Sequence, residues 1–536
     1  MTYLTAAITV HSLEQALGAA VRAAELGADL VEYRIDTFTD DPDDITELVQ
    51  RSALPCIITC RPTWEGGAYD GDEQTRLSLL EHAGVGARKP AFIDLELAAF
   101  EKSANLRQKI SLVVDDPNRA RQTDTGLILS SHDFEQRPAD LFRKVKDMAE
   151  APLCRVVKVA WQARSLRDNL EAFELISQQV KPTIALCMGE CGLASRVLAK
   201  KFGALLTFAS IDGDAGTAPG QPTLGEIKKL YRWDSLNAET RVFGVIGYPV
   251  GHSMSPPVHN AGFDAAGVNG VYLPMPIPPE YEHFKATVAT WLATPGLHFG
   301  GASVTIPHKE NLLRYVREEG GPGSEIEALA ERIGAANTLQ VRDDGSLYAC
   351  NTDYAAALDA VCDGLKIKRD GLAGKKVAVI GAGGAARAVV AGFAHYGADV
   401  TVYNRTPERA KELADLFEAE AATLDDLVLS NADVYINCTP IGMHPDVDAS
   451  PLDIGHISDQ KSEIRHPFAP GVVVFDTIYN PIQTKLLRDA AAAGCATISG
   501  TEMFVRQGAA QFRLWSGKEA PLDVFREVLA DHLQAR

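Results

Sequence analysis

Two lysines and a glycine-rich turn carry the chemistry that this sequence offers first. Lys158 lies in Cys154-Arg155-Val156-Val157-Lys158-Val159-Ala160, an apolar run in which an ammonium is stripped of water. Burial and neighbouring cations free a lysine amine as a nucleophile toward ketones. The same placement also suits a lysine that snorkels from a strand end to a carboxylate such as Glu32. Lys309 in ASVTIPHKE (302–310) and Asp353 in CNTDY (350–354) come from separate strand ends and can form an acid/base pair. Ser253 and Ser255 in GYPVGHSMSPPVHN (247–260), Thr305, and Asn337 in GAANT (334–338) can read hydroxyls beside them. A surface ion pair and ordinary caps explain any one of these motifs, but explain four in succession poorly.

The glycine-rich turn stands in KVAVIGAGGAARAVVAGFAHYGADVTVYNRT (376–406). Val377–Ile380 is a short β-branched strand, and Gly381, Gly383 and Ala386 fill a G-x-G-x-x-A pattern. The first glycine permits the tight turn, the second lets a pyrophosphate approach, and a helix N-terminus offers N–H groups. Gly384 and Ala385 fall in the same turn, so all four residues from Gly381, Gly383, Gly384 and Ala385 are candidate phosphate contacts. Where an NAD site usually places Asp or Glu, the second strand ends in Asn404-Arg405-Thr406. A guanidinium and a hydroxyl suit a 2′-phosphate that a carboxylate would repel, so the expected cofactor is NADP. The plain alternative is a solvated arginine in a surface loop.

The elements that must position these groups alternate between strands and helices. Leu4–Val10, Leu30–Arg34, Cys56–Cys60, Phe92–Leu95, Leu127–Ser131, Val156–Ala160, Thr183–Leu186 and Leu205–Phe208 read as strands. Helical periods intervene, as in Ser12–Leu26, Gln74–Ala87 and Leu166–Gln179. The pattern predicts an α/β chain that opens with a (β/α)8 TIM barrel, with a doubly wound sheet as runner-up. In such a barrel the chemistry gathers where strands end. Glu32, Arg34, Arg61, Glu65, Asp94, Glu96, His132, Lys158 and Arg196 all fall there, a set suited to carbonyl chemistry on an anion. Gly225–Leu236 reads as a closing helix and Asn237–Thr240 as a short joint. The expected domains are therefore 1–236, a substrate lobe at 241–355, a Rossmann lobe at 372–483, and a helical segment at 484–536 that returns to the substrate lobe.

Bulk properties narrow the class. A chain of 536 residues exceeds one core, and 46% hydrophobic with 23% charged residues is ordinary for a globular protein. A net charge of −19 disfavours nucleic acid and anionic membranes as partners and leaves small-molecule substrates. MTYLTAAITV enters a strand pattern without the marks of a signal or transit peptide, so a cytoplasmic location is expected. The nine scattered cysteines read as free thiols rather than a metal site.

Longer motifs connect these residues to known families. VEYRID (31–36), TCRPTWEGG (59–67), SSHDF (130–134), VVKVA (156–160), MGECGLASR (188–196) and TAPGQ (217–221) occur in order. Together they resemble type I 3-dehydroquinate dehydratase across nearly all of residues 1–230. The resemblance implies that Lys158 forms an imine with the substrate ketone and that His132 is the general base and then acid. It further implies that Glu65 orients His132, while Glu32, Arg34, Arg61, Arg196, Gln221 and the hydroxyl of Thr217 hold carboxylate and hydroxyls. From about 242 onward the motifs already quoted, with INCTPIGM (436–443), DTIYNP (476–481) and GTEMFVRQGAAQF (500–512), resemble shikimate dehydrogenase. That likeness implies proton handling by Lys309 and Asp353, and substrate reading by Ser253, Ser255, Thr305, Asn337, Tyr479 and Gln507. Thr439 and Met503 are implied cofactor contacts, Met503 beside the nicotinamide. Ser303 and Ala349 depart from the Asn and Gly common in the family, whereas Ser255 and Thr305 are kept, which favours shikimate over quinate. A reading in which one half is a regulatory module predicts loss of Lys158, His132, Lys309 or Asp353, and none is lost. The polar segment Ser458–Pro470 suggests a surface loop without assigned function.

Overall fold

The computed structural model describes residues 1–38, 41–116, 124–178, 180–213, 218–455 and 468–534. Its contacts divide into two compact units. One comprises Met1–Val242, Pro249–Gly251 and Asn269–Phe299; the other comprises Phe243–Tyr248, His252–Val268 and Gly300–Arg536.

The first unit contains β1 (Tyr3–Thr9), β2 (Leu30–Arg34), β3 (Cys56–Thr59), β4 (Phe92–Glu96), β5 (Gly126–Asp133), β6 (Cys154–Gln162), β7 (Thr183–Met188) and β8 (Leu206–Ala209). These eight strands are parallel neighbours in the order β7-β6-β5-β4-β3-β2-β1-β8. Leu205 N donates to Thr183 O at 3.0 Å, which brings the starts of β7 and β8 together and all but closes the expected barrel. Every residue of β3 and β7 is buried, as strands covered on both faces require. Helix Leu13–Glu25 shows how the crossovers form. Ser12 caps its N-terminus by accepting from Gln15 N, and Ala16, Leu17, Ala19, Ala20 and Ala23 make one buried face.

The expected closing helix over Gly225–Leu236 is instead two short turns, Glu226–Leu230 of π type and Trp233–Ser235 of 3-10 type. The break lies at Arg232, which turns left-handed at φ 56°. That turn buries Trp233 and lets the Arg232 guanidinium donate to Gly270 O at 2.6 Å.

Further along the chain lie β9 (Arg241–Gly247), β10 (Gly270–Pro276), β11 (Phe299–Val304), β12 (Glu325–Ile326), β13 (Thr338–Val341) and β14 (Leu347–Cys350). In the second unit they run β9-β11-β13-β14-β12, with β13 antiparallel to both neighbours. The second sheet of this unit has β15 (Lys376–Ile380), β16 (Asp399–Asn404), β17 (Glu420–Thr423), β18 (Val434–Asn437), β19 (Val473–Asp476) and β20 (Ala496–Ile498). Its order is β17-β16-β15-β18-β19-β20, all parallel. The order reverses beside β15, and helix Gly384–His395 starts there, which is where open α/β sheets bind ligands.

The stretch from Thr484, expected to be helical throughout, contains β20, which pairs with β19. Gly494, at φ 82°, turns the chain back onto the sheet, and Ala496 N then donates to Val472 O at 3.0 Å. Three residues of which only Ile498 is buried leave no alternation to read. Helices Gly500–Ser516 and Leu522–Gln534 follow, and the first of them bonds to β13 through Trp515 Nε1 to Leu339 O at 2.9 Å. Most of the segment Ser458–Pro470 and all of Thr217 lie outside the described residues.

Candidate active sites

The first unit gathers its ionisable residues at the C-terminal ends of the barrel strands. Glu32, Arg34, Arg61, Glu65, His132, Lys158, Arg196 and Gln221 line one cavity with Phe134, Met188 and Phe208. The expected site residues of this half therefore converge, Thr217 aside. Lys158 is buried, yet it is not the uncompensated amine that its apolar run suggests. Its Nζ donates to Asp94 Oδ2 at 2.8 Å and to Glu32 Oε1 at 3.3 Å, and lies 4.5 Å over the Phe208 ring. The carboxylate contact with Glu32 and the position in the cavity wall hold together, so the two readings of Lys158 are not exclusive.

Sequence reasoning noted Asp94 at a strand end but gave it no role. Asp94 Oδ1 accepts from Arg61 Nη2 at 2.7 Å and from Ser130 Oγ at 2.6 Å. Burial alone would raise the Asp94 pKa, but Arg61 and Lys158 override it and hold the carboxyl well below the usual range. Asp94 and Glu96 are two apart on β4, so both face inward; that spacing in an otherwise buried strand is the signal that could have found them.

His132 and Glu65 form the second feature of the mouth. Glu65 Oε1 accepts the backbone N–H of His132 at 2.7 Å, while the ring Nδ1 stands 3.8 Å away. Glu65 thus fixes the strand that carries His132 rather than bonding its ring. Burial pushes the Glu65 carboxyl up to about 7, against the pull of Arg61. Burial, with Arg61 and Lys158, pushes the His132 imidazole well below its ordinary value, so it is a neutral base at pH 7. Glu65 Oε2, His132 Nδ1 and Arg196 Nε are buried with no partner among the described residues. Among the described residues no acid pairs with Arg196, and burial lowers its pKa to about 10. A buried cation of this kind at a cavity wall is suited to an incoming carboxylate.

In the second unit, Ser253, Ser255, Thr305, Lys309, Asn337, Asp353, Tyr479, Met503 and Gln507 line one cavity of about 230 Å³. Lys309 opens helix Lys309–Glu319, and Asp353 lies in the first turn of helix Thr352–Leu365. Lys309 Nζ donates to Asp353 Oδ2 at 2.6 Å, and Asn337 Nδ2 donates to Asp353 Oδ1 at 2.9 Å. The Asn337 amide is fixed in turn, since its Oδ1 accepts from Thr352 N and Thr338 Oγ1, each at 2.8 Å. Gln511 was missed. It is fully buried, accepts from Ser303 Oγ at 2.8 Å and donates to Thr338 Oγ1 at 2.9 Å. It lies four residues after Gln507, one helical turn on, which is the signal that marks it.

Lys309 also borders a cavity of about 390 Å³ lined by Ala382, Gly383, Gly384, Arg387, Arg409, Leu413 and Leu416. A Cβ added at Gly383 or Gly384 would meet nothing within 4 Å, so the helix N-terminus opens onto free space. Gly381 is at φ 109°, with Thr439 Cγ2 packed 2.9 Å from where its Cβ would lie. Asn404 Nδ2 donates to Thr406 O at 3.0 Å, while Arg405 and Thr406 are exposed beyond β16. Ala385 follows in the first helical turn. An open helix end with Arg387 and Arg409 in its wall and Arg405 nearby in sequence fits a phosphate-rich dinucleotide. Arg387 and Arg409 were not anticipated. All nine cysteines are free, and among the described residues no helix is long and apolar enough to cross a membrane.

Comparison with known proteins agrees with this two-site layout. Family models for type I 3-dehydroquinase match residues 4–238 and for the shikimate dehydrogenase substrate-binding domain residues 245–339. Those for shikimate/quinate 5-dehydrogenase and the shikimate 5′-dehydrogenase C-terminal domain match 365–445 and 500–530. The chain is 36% identical to the chloroplastic bifunctional 3-dehydroquinate dehydratase/shikimate dehydrogenase of Arabidopsis thaliana, over 99% of this chain and 84% of that protein. It is 41% identical to the NADP(+) shikimate dehydrogenase of Methanosarcina mazei, over 55% of this chain and 99% of that one. A crystal structure of a shikimate dehydrogenase in complex with NADP+ is 34% identical, covering 56% of this chain and 97% of that one at a TM-score of 0.48. The chain belongs to the family of bifunctional 3-dehydroquinate dehydratase/shikimate dehydrogenases.

Two predictions follow from the electrostatics of the barrel mouth. Arg196→Met removes a buried cation that no acid compensates among the described residues. It should raise the unfolding midpoint of the ligand-free chain while weakening an anionic substrate roughly 30-fold or more; a lowered midpoint with unchanged KM would contradict the assignment. A carboxyl whose folded pKa is raised favours the fold while protonated, and that contribution is lost as pH rises through about 7. Glu65→Gln should therefore gain stability over the unmodified chain, on the order of 2–3 kcal/mol, between about pH 5 and pH 8. A pH-independent difference in unfolding free energy would count against it.

Proposed function

We propose that the chain catalyses two consecutive reactions, dehydration of 3-dehydroquinate at the barrel mouth and NADPH-dependent reduction of 3-dehydroshikimate to shikimate in the second unit. The observation that carries the first is Lys158 beside a neutral His132 in a cavity walled by Arg34, Arg61 and Arg196. The cations hold the substrate carboxylate and hydroxyls. Lys158 Nζ passes a proton to Glu32 and adds to the ketone carbon, and loss of water gives an imine. His132 takes the α-proton, and the electron pair moves into the protonated imine. As it returns, the C–O bond breaks and His132 gives its proton to the departing hydroxide, so that water leaves. Hydrolysis of the imine restores Lys158.

In the second unit Ser253, Ser255, Asn337, Tyr479 and Gln507 hold the ring hydroxyls and carboxylate. When bound along the glycine turn, NADPH supplies a hydride to the ketone carbon. Lys309 donates a proton to the oxygen that becomes a hydroxyl, and Asp353, aimed by Asn337, keeps Lys309 in place. Arg405 and Thr406 would receive the 2′-phosphate, and Thr439 and Met503 would contact the cofactor. The nine free thiols fit a reducing compartment, the cytosol in our reading.

Lys158→Ala should lower dehydratase turnover at least about 1000-fold and abolish the borohydride-trapped adduct, with the NADPH-dependent rate unchanged. A trapped adduct in the variant would refute the imine. Arg405→Ala should weaken NADP about tenfold or more and NAD hardly at all; equal losses, measured by titration, would remove Arg405 from the phosphate site.

A further inference from the structure

Behind the barrel mouth lies a chain of buried charges that ends at a residue without contact to the cavity. Arg61 reaches Asp94 with one arm, and with the other reaches Glu96 Oε1 at 2.5 Å. The second oxygen of Glu96, Oε2, accepts from Arg76 Nη1 at 2.7 Å. Arg76 is 1% exposed, sits on helix Glu73–Ala83, and also donates to Cys60 O at 2.8 Å, next to Arg61 in sequence. Its remaining arm meets Glu73, whose side chain is 44% exposed. From solvent inward the order is Glu73, Arg76, Glu96, Arg61, Asp94, Lys158 and Glu32.

Three buried cations, Arg76, Arg61 and Lys158, are thus interleaved with three buried carboxylates, Glu96, Asp94 and Glu32. Without Arg76 the carboxylates outnumber the cations. Among the described residues Glu96 then keeps Arg61 alone as its cation and competes with Asp94 for the same guanidinium. Asp94, less compensated, holds Lys158 more firmly as an ammonium, the form that cannot attack a ketone. We propose that Arg76 is a positioning residue for the dehydration: it occupies Glu96 so that Arg61 is shared with Asp94 and Lys158 can be released as a free amine. This rests on the reading of the mouth as the dehydratase site. Among the described residues, the charged and titratable groups that line the cavity with Lys158 are Glu32, Arg34, Arg61, Glu65, His132 and Arg196, and Asp94 bonds its amine directly.

The test compares Arg76→Met, Arg76→Lys and Glu73→Gln in the full-length chain. Turnover per folded chain, KM, the rate of borohydride-trapped adduct formation and the pH profile are the readouts. Arg76→Met should lower turnover and adduct formation together by about tenfold or more, with KM within about threefold, because Arg76 itself does not line the cavity. The acid limb of its kcat/KM profile should move up by about half a pH unit or more, the direction expected when a cation is lost. Arg76→Lys keeps the charge without the fork, so it should recover part of the loss, and it decides the matter if the methionine variant does not fold. Glu73→Gln removes only the exposed tether and should stay within about twofold. Unchanged turnover per folded chain in both Arg76 variants, or a loss with an unmoved pH profile, overturns the proposal. Absence of a trapped adduct in the unmodified chain overturns instead the dehydratase reading beneath it.

Discussion

A charge withdrawn from water must be matched by its neighbours, and the barrel mouth is arranged around that requirement. Lys158 is placed on β6 by an apolar strand, but its amine is held by Asp94 and Glu32, and Asp94 is held by Arg61. No member of this set can be moved singly. Each carboxylate that restrains the lysine is itself restrained, so the amine is aimed without being locked to one partner. Three atoms of the mouth left without partners among the described residues, Arg196 Nε, His132 Nδ1 and Glu65 Oε2, belong to residues that line the cavity where an anionic, protic ligand would complete them.

The second unit solves the same problem with fewer charges. Lys309 is aimed by Asp353, Asp353 by Asn337, and Asn337 by the backbone and hydroxyls of Thr352 and Thr338. Here the outer shell is neutral, which suits a lysine that gives a proton rather than one that must lose it before acting. The glycine turn adds an open helix end in the same unit. Gln511 ties Ser303 and Thr338 behind the substrate cavity, so the serine that departs from the commoner asparagine is hydrogen-bonded within the wall.

Much of this was legible in the sequence because strand ends and motif spacing fix which residues share a face. Each of the eight barrel strands fell within a few residues of its expected bounds, and the expected catalytic and substrate-binding residues of both sites line common cavities wherever they are described, whereas of the expected cofactor residues Gly383 and Gly384 alone line the cavity at the glycine turn. The rest depended on pairing across the fold. Asp94 as partner of Lys158 and Arg76 as partner of Glu96 are 64 and 20 residues from their mates, and no local period encodes such contacts. The broken turn at Arg232 follows from burial of Trp233 and a bond to Gly270 O, which propensity does not contain. β20 is too short to alternate.

The central claim is that one chain carries both chemistries in succession. It is tested most directly by giving the purified chain 3-dehydroquinate as sole substrate with NADPH and following products by chromatography. Shikimate is expected with one NADPH oxidised per molecule formed, and conversion should stop at 3-dehydroshikimate when NADPH is withheld. Persistence of 3-dehydroquinate, or accumulation of 3-dehydroshikimate with NADPH unconsumed, would contradict it.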